Sequence, residues 1–76
     1  MPEKKYFKEF RQIGLNIMYQ RKQRGLTQSE LAELADLSPN YLQRVETARS
    51  RPSVATLLSI SYALKVPIAS LFSFQI

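Results

Sequence analysis

The chain has no cysteine and no histidine. The first absence rules out disulfide staples and thiol nucleophiles, and together they remove the usual zinc ligands. The commonest general base is missing too, so nothing is at hand to activate the many serines. Only two glycines are present, which excludes a glycine-rich phosphate loop. Acidic residues are scarce, six against eleven lysines and arginines. Of these, Glu30 has a capping role and Glu33 and Asp36 read as surface and turn, so no carboxylate pair stands out for acid–base catalysis. No apolar run approaches the roughly 18 residues of a membrane span. The opening MPEKKYFKEF is charged and lacks the apolar centre of a signal peptide. The expectation is a non-enzyme in the cytoplasm, without metal, cofactor, membrane partner or small-molecule ligand.

What is present is apolar patterning and positive charge. Hydrophobic residues make up 45% of the 76 positions, enough for one small domain if every helix contributes an apolar face. The formal charge of +5 is compatible with a polyanionic partner, although the placement of the charges matters more than their sum. Residues 1–5 read as a flexible basic tail and 6–76 as the domain.

The most informative stretch is 27–46, TQSELAELADLSPNYLQRVE. Thr27 suits a helix N-cap, and Glu30 three residues later can complete a capping box. Leu26 and Leu31 have the spacing of a hydrophobic staple. Ser38 suits a second cap, Pro39 the first helical position, and Leu37 with Leu42 repeats the staple. Only Asp36 and Leu37 remain to join the helices. So short a connection sets two amphipathic helices at a steep angle, the helix-turn-helix arrangement.

The rest of the chain reads as support. A helix from about residue 6 to 24 places Phe7, Phe10, Ile13, Ile17 and the stem of Arg21 on one face, with Gly14 marking a close helix approach. Leu15, Met18 and Tyr19 fall off that face, and Gly25 stops the helix. The helix at 28–35 turns Leu31, Ala32, Leu34 and Ala35 inward, and the helix at 39–47 does the same with Leu42 and Val45. Ser53 caps a fourth helix to about residue 65, with Leu57, Ile60, Ala63 and Leu64 as its stripe. Pro67 opens a last short turn.

Three groups of residues could carry function. A helix in a DNA major groove reads bases with its N-terminal residues, here Ser38, Pro39, Asn40 and Tyr41, with Arg44 one turn on. Asparagine pairs with adenine and arginine with guanine; plain solvated surface is the alternative. Gln28, at the start of its helix, suits a phosphate oxygen or is an ordinary polar first-turn residue. Arg49 and Arg51 border the loop before Ser53, where phosphate contact and simple solvation both fit. Arg21 and Glu46, of opposite sign and each near an apolar face, read as an internal ion pair joining the first helix to the third, with Arg21 on a phosphate as the alternative.

Residues 21–66 resemble the Cro/repressor-type helix-turn-helix family, the XRE-like regulators. The resemblance rests on the arginine before Gly25-Leu26-Thr27-Gln28, on Glu30-Leu31-Ala32, on Leu37-Ser38, on the glutamate ending the third helix, and on Pro52-Ser53. It implies an all-α, five-helix, lambda-repressor-like domain that binds double-stranded DNA. It assigns Pro39, Asn40 and Arg44 to bases, and Gln28, Tyr41, Thr47, Arg49 and Arg51 to phosphates; Ser38, at the N-terminal end of the third helix, is expected to join the phosphate contacts. It also matches Arg21 and Glu46 to the family's internal pair. Three departures stand out. Asp36 and Ala48 replace glycines, and alanine resists positive φ, so the loop after the third helix is expected to differ. Gln20 stands where the family is usually apolar.

The resulting expectation is a transcriptional regulator acting as a homodimer on a palindromic operator. The apolar surplus at Ile68, Leu71, Phe72, Phe74 and Ile76, with Tyr62 adding to it, forms the expected dimer interface; closure of the small core is the alternative use of those residues. The rival function is an antitoxin-like module whose main partner is a protein.

Overall fold

The computed structural model describes residues 5–73. They form four α-helices, α1 (Phe7–Gln23), α2 (Gln28–Leu34), α3 (Pro39–Glu46) and α4 (Val54–Leu64), and a closing 3₁₀ helix (Ile68–Phe72). No strand occurs among the described residues, and no helix in them is long and apolar enough to cross a membrane. The expected fifth helix is thus a 3₁₀ helix. Pro67 sets its start, and the Ser70 N–H donates to the Pro67 carbonyl at 2.9 Å in the tighter i→i+3 pattern.

Side chains start three of the helices as their spacing implies. The Glu30 N–H donates to Thr27 Oγ1 at 3.0 Å while the Thr27 N–H donates to Glu30 Oε1 at 2.8 Å, completing the capping box. Ser38 and Ser53 accept from the N–H groups of Tyr41 and Thr56, each at 3.1 Å. All four α-helices end through one device. A residue one or two places past the end adopts a left-handed backbone, and its N–H and the next one return to carbonyls of the last turn. The left-handed residues are Gly25, Asp36, Ala48 and Lys65, at φ 66, 59, 62 and 61°. Ala48 therefore takes the left-handed backbone that alanine ordinarily resists. The Arg44 carbonyl accepts from Arg49 N–H at 2.8 Å and Ser50 N–H at 3.2 Å, and these bonds hold the turn in its left-handed form despite the missing glycine.

The core is built where the four helices and the 3₁₀ helix meet. Ile17, Leu31, Leu42, Ile60, Leu64 and Leu71 are fully buried, with Ile13, Ala32, Ala35, Val45 and Leu57 around them. α1 packs on α3 and the 3₁₀ helix, α2 on α3 and α4. Gly14 permits the α1–α3 approach, because a Cβ there would lie 2.8 Å from the carbonyl carbon of Glu46 and from the Val45 oxygen.

Several expected positions differ. Leu34 is exposed. On α2, Leu31, Ala32 and Ala35 occupy one arc, and Leu34 falls just beyond its edge. Phe7 is largely exposed at the start of α1, whereas Phe10 packs against the core. Leu71, expected at a dimer interface, is fully buried and fills the core of its own chain, so it offers a partner no surface. Ile68 is half-buried against the core and Phe72 is 41% exposed. Phe74 and Ile76 lie outside the described residues.

Candidate nucleic-acid interface

The site is carried by α3 and its flanks. Leu42, Val45 and Glu46 are the buried side of this helix. They recur at steps of three and four, so Asn40 and Arg44, four apart, project from the opposite side. Both are exposed, as are Ser38 and Pro39 at the N-terminal end. The Ser38 hydroxyl oxygen accepts from Tyr41 N–H as the cap, which leaves its own proton free to be donated. Tyr41 is half-buried, with its ring packed against the core. Arg49 is exposed just beyond α3.

Other expected contacts are engaged inside the protein. Gln28 Nε2 donates to Glu46 Oε1 at 2.9 Å, which ties the start of α2 to the end of α3. An amide nitrogen has two hydrogens, so one remains for a further acceptor. The Thr47 hydroxyl donates to the Gln43 carbonyl at 2.9 Å, so a phosphate contact from that proton would require a rotor change. Arg51 donates to the Lys5 carbonyl through Nη2, and its guanidinium lies 5.0 Å from the centre of the Phe10 ring. Stacked there, Arg51 pins the loop after α3 to the start of α1.

Behind the exposed face lies the Arg21–Glu46 pair. Arg21 Nε donates to Glu46 Oε2 at 2.8 Å and Nη2 to Oε1 at 3.2 Å, a bidentate arrangement, while Nη1 donates to the Leu26 carbonyl at 2.8 Å. The side chains are 10% and 0% exposed. Every buried side-chain polar atom among the described residues has a partner. Arg21 is therefore an internal residue that fixes α1 to α3 and to the turn before α2.

Several contacts escaped sequence reasoning. The Gln28–Glu46 bond joins residues 18 apart and has no local signature. Asn16 Nδ2 donates to the carbonyls of Leu71, at 3.0 Å, and Ser73, at 2.9 Å, and Asn16 Oδ1 accepts from Gln12 at 2.9 Å. It holds the 3₁₀ helix against α1 from the far end of the sequence. Gln20, which stands where the family is usually apolar, accepts from Arg24 through its backbone and side-chain oxygens at 2.9 and 2.7 Å.

Comparison with known proteins matches this arrangement to a family. A helix-turn-helix family model, HTH_3, covers residues 17–71, from the middle of α1 to the 3₁₀ helix. The chain belongs to the HTH_3 helix-turn-helix family. Its relatives in this family are Cro/repressor-type, XRE-like regulators. The chain is 41% identical over 59 residues to the immunity repressor protein of Bacillus phage phi105, covering 78% of this chain but only 41% of that protein. Among solved structures, this HTH_3 domain resembles the restriction-modification controller protein C.AhdI from Aeromonas hydrophila. The TM-score is 0.82 at 28% identity, over 83% of this chain and 96% of that one. It also resembles SinR, the master regulator for biofilm formation, solved in complex with DNA. There the TM-score is 0.75 at 35% identity, over 80% of this chain and 98% of that one.

Proposed function

We propose that this HTH_3 protein is a sequence-specific double-stranded DNA-binding regulator of transcription, with α3 in the major groove. One observation carries the reading: Asn40 and Arg44 are exposed on the side of α3 opposite Leu42, Val45 and Glu46, which anchor the helix in the core, and Pro39 is exposed at its N-terminal end. The polar side chains of Asn40 and Arg44 are thus presented from a rigid element and, among the described residues, stay exposed. The solved complex of SinR with DNA supports the same use of the fold.

In this reading Pro39, Asn40 and Arg44 meet base edges, and Arg44 is suited to guanine and Asn40 to adenine. Ser38, Tyr41, Arg49 and the remaining amide hydrogen of Gln28 meet phosphates and set the register. Thr47 and Arg51 act mainly inside the protein, Thr47 on the end of α3 and Arg51 on Phe10 and Lys5.

The protein acts as a homodimer on a palindrome in the cytoplasm. A single α3 reaches few base pairs, and two copies on half-sites roughly 34–36 Å apart supply the missing specificity. Phe72 and Tyr62, both exposed aromatic side chains, supply apolar surface for the second copy, with the outer side of Ile68. Selection of bound sequences from a random DNA pool tests the reading. A palindromic consensus, bound with log affinity falling against log salt, is expected. Enrichment of no sequence would overturn it. Sedimentation with and without the selected DNA tests the dimer, and a monomer mass in both would exclude it.

A further inference from the structure

We propose that Glu46 is a positioning residue for DNA recognition: with Arg21 fixing its carboxylate, it holds the Gln28 amide in the orientation that receives a phosphate. This inference rests on the DNA-binding reading above. The three side chains come from three helices, Arg21 from α1, Gln28 from α2 and Glu46 from the last position of α3. Oε2 of Glu46 accepts from Arg21 Nε at 2.8 Å. Oε1 accepts from both Arg21 Nη2, at 3.2 Å, and Gln28 Nε2, at 2.9 Å. The carboxylate is sealed from water, whereas Gln28 is only half-buried and marks the rim of the network.

The chemistry sets a direction. A carboxylate only accepts, so it selects the NH₂ end of the Gln28 amide and turns the carbonyl oxygen away. One N–H bonds Glu46, and the other is left for an outside acceptor. A glutamine on an open surface samples many rotamers and loses that freedom when it binds. Here the ordering precedes any ligand. Arg21 has a second part in this. A bare carboxylate one hydrogen bond behind Gln28 would repel a phosphate. The bidentate guanidinium balances that charge, so an anion reaching Gln28 meets a polarised donor backed by a neutral pair.

A binding cycle on the selected DNA tests this. Gln28→Ala is measured in the wild-type chain and in the Arg21→Met/Glu46→Met chain, whose apolar pair preserves side-chain volume in place of the ions. In the wild type Gln28→Ala should weaken binding on the order of tenfold, as for one hydrogen bond to a charged acceptor. In the double variant, shown to be folded by its circular dichroism and a cooperative melt, the same change should weaken binding less than about twofold, because the amide is no longer held. A purely structural pair would leave the two losses independent, and equal losses would overturn the proposal.

A second measurement needs no variant of the pair. Side-chain ¹⁵N relaxation of the free wild-type protein should show the Gln28 amide as ordered as the backbone, and the exposed Gln23 amide mobile. Equal mobility of the two would also overturn it. If the wild type enriches no DNA sequence, the DNA-binding reading falls and this inference with it. If it enriches one and the cycle is additive, only the positioning role falls.

Discussion

Gly14 lies directly against the last turn of α3. A Cβ at position 14 would sit 2.8 Å from the carbonyl carbon of Glu46 and closer still to its oxygen. These are backbone atoms, so no side chain can move aside to make room. Gly14→Ala adds a methyl group that gains about 1 kcal/mol of helix propensity. It must also push α1 away from α3, and overpacking of this kind typically costs about 1–3 kcal/mol and occasionally more. The expected result is a lower urea midpoint with an unchanged slope. A variant as stable as the parent would mean that the helices separate at little cost.

Ala48 adopts φ 62° where glycine would be unstrained. A left-handed residue with a Cβ costs roughly 1–2 kcal/mol, and the extra freedom of glycine in the unfolded chain takes back part of the gain. Ala48→Gly should raise stability by about 0.5–1 kcal/mol, and Asp36→Gly by less, since aspartate tolerates this conformation better. Thermal melts of the two variants side by side check the order. Equal or reversed effects would show that strain at position 48 is relieved by something other than glycine.

The buried pair yields a sharper contrast. Arg21→Ala or Glu46→Ala leaves an uncompensated group among apolar neighbours and should destabilise by about 3–5 kcal/mol. Replacing both partners by methionine should be close to neutral on the same scale. Because the side chains are almost sealed from solvent, raising salt should hardly change the loss in the single variants. Chemical denaturation by urea at low and high salt measures both points. A double variant as unstable as the singles would show that the pair's geometry, and not its charge balance, holds α1 to α3.

Arg44 tests the interface itself. It is exposed and projects away from the core, so Arg44→Ala should leave the melt within experimental scatter. In binding it should reduce discrimination at one base pair of each half-site by about tenfold or more. Anisotropy titrations against the selected DNA and its single-base variants give the profile. Retained affinity with an unchanged base preference would remove Arg44 from the set of base readers.

Much of the fold was legible because its signals are local. Thr27, Ser38 and Ser53 cap helices through bonds three residues long, and that spacing is visible in any one-dimensional reading. The left-handed Gly25 was equally plain. The face of α3 was readable too, because Leu42, Val45 and Glu46 follow the helical repeat. Asp36 and Ala48 were harder. Propensity alone argues against alanine at positive φ, but the hydrogen bonds that close the turn outweigh that penalty.

The sequence by itself determined where the helices begin and end, which of them form the helix-turn-helix, and that Arg21 and Glu46 are candidates to meet. Each of these depends on neighbours within about one helical turn, or on charge placed on an apolar face. Only the tertiary structure decided what happens between distant residues. It brought Gln28 to Glu46, Arg51 to Phe10 and Lys5, and Asn16 to Leu71 and Ser73. It turned Leu71 into the core and left Leu34 outside. The reason is geometric. Helical periodicity says which residues share a face, but the crossing of the helices decides which part of that face is covered and which polar groups arrive together beneath it.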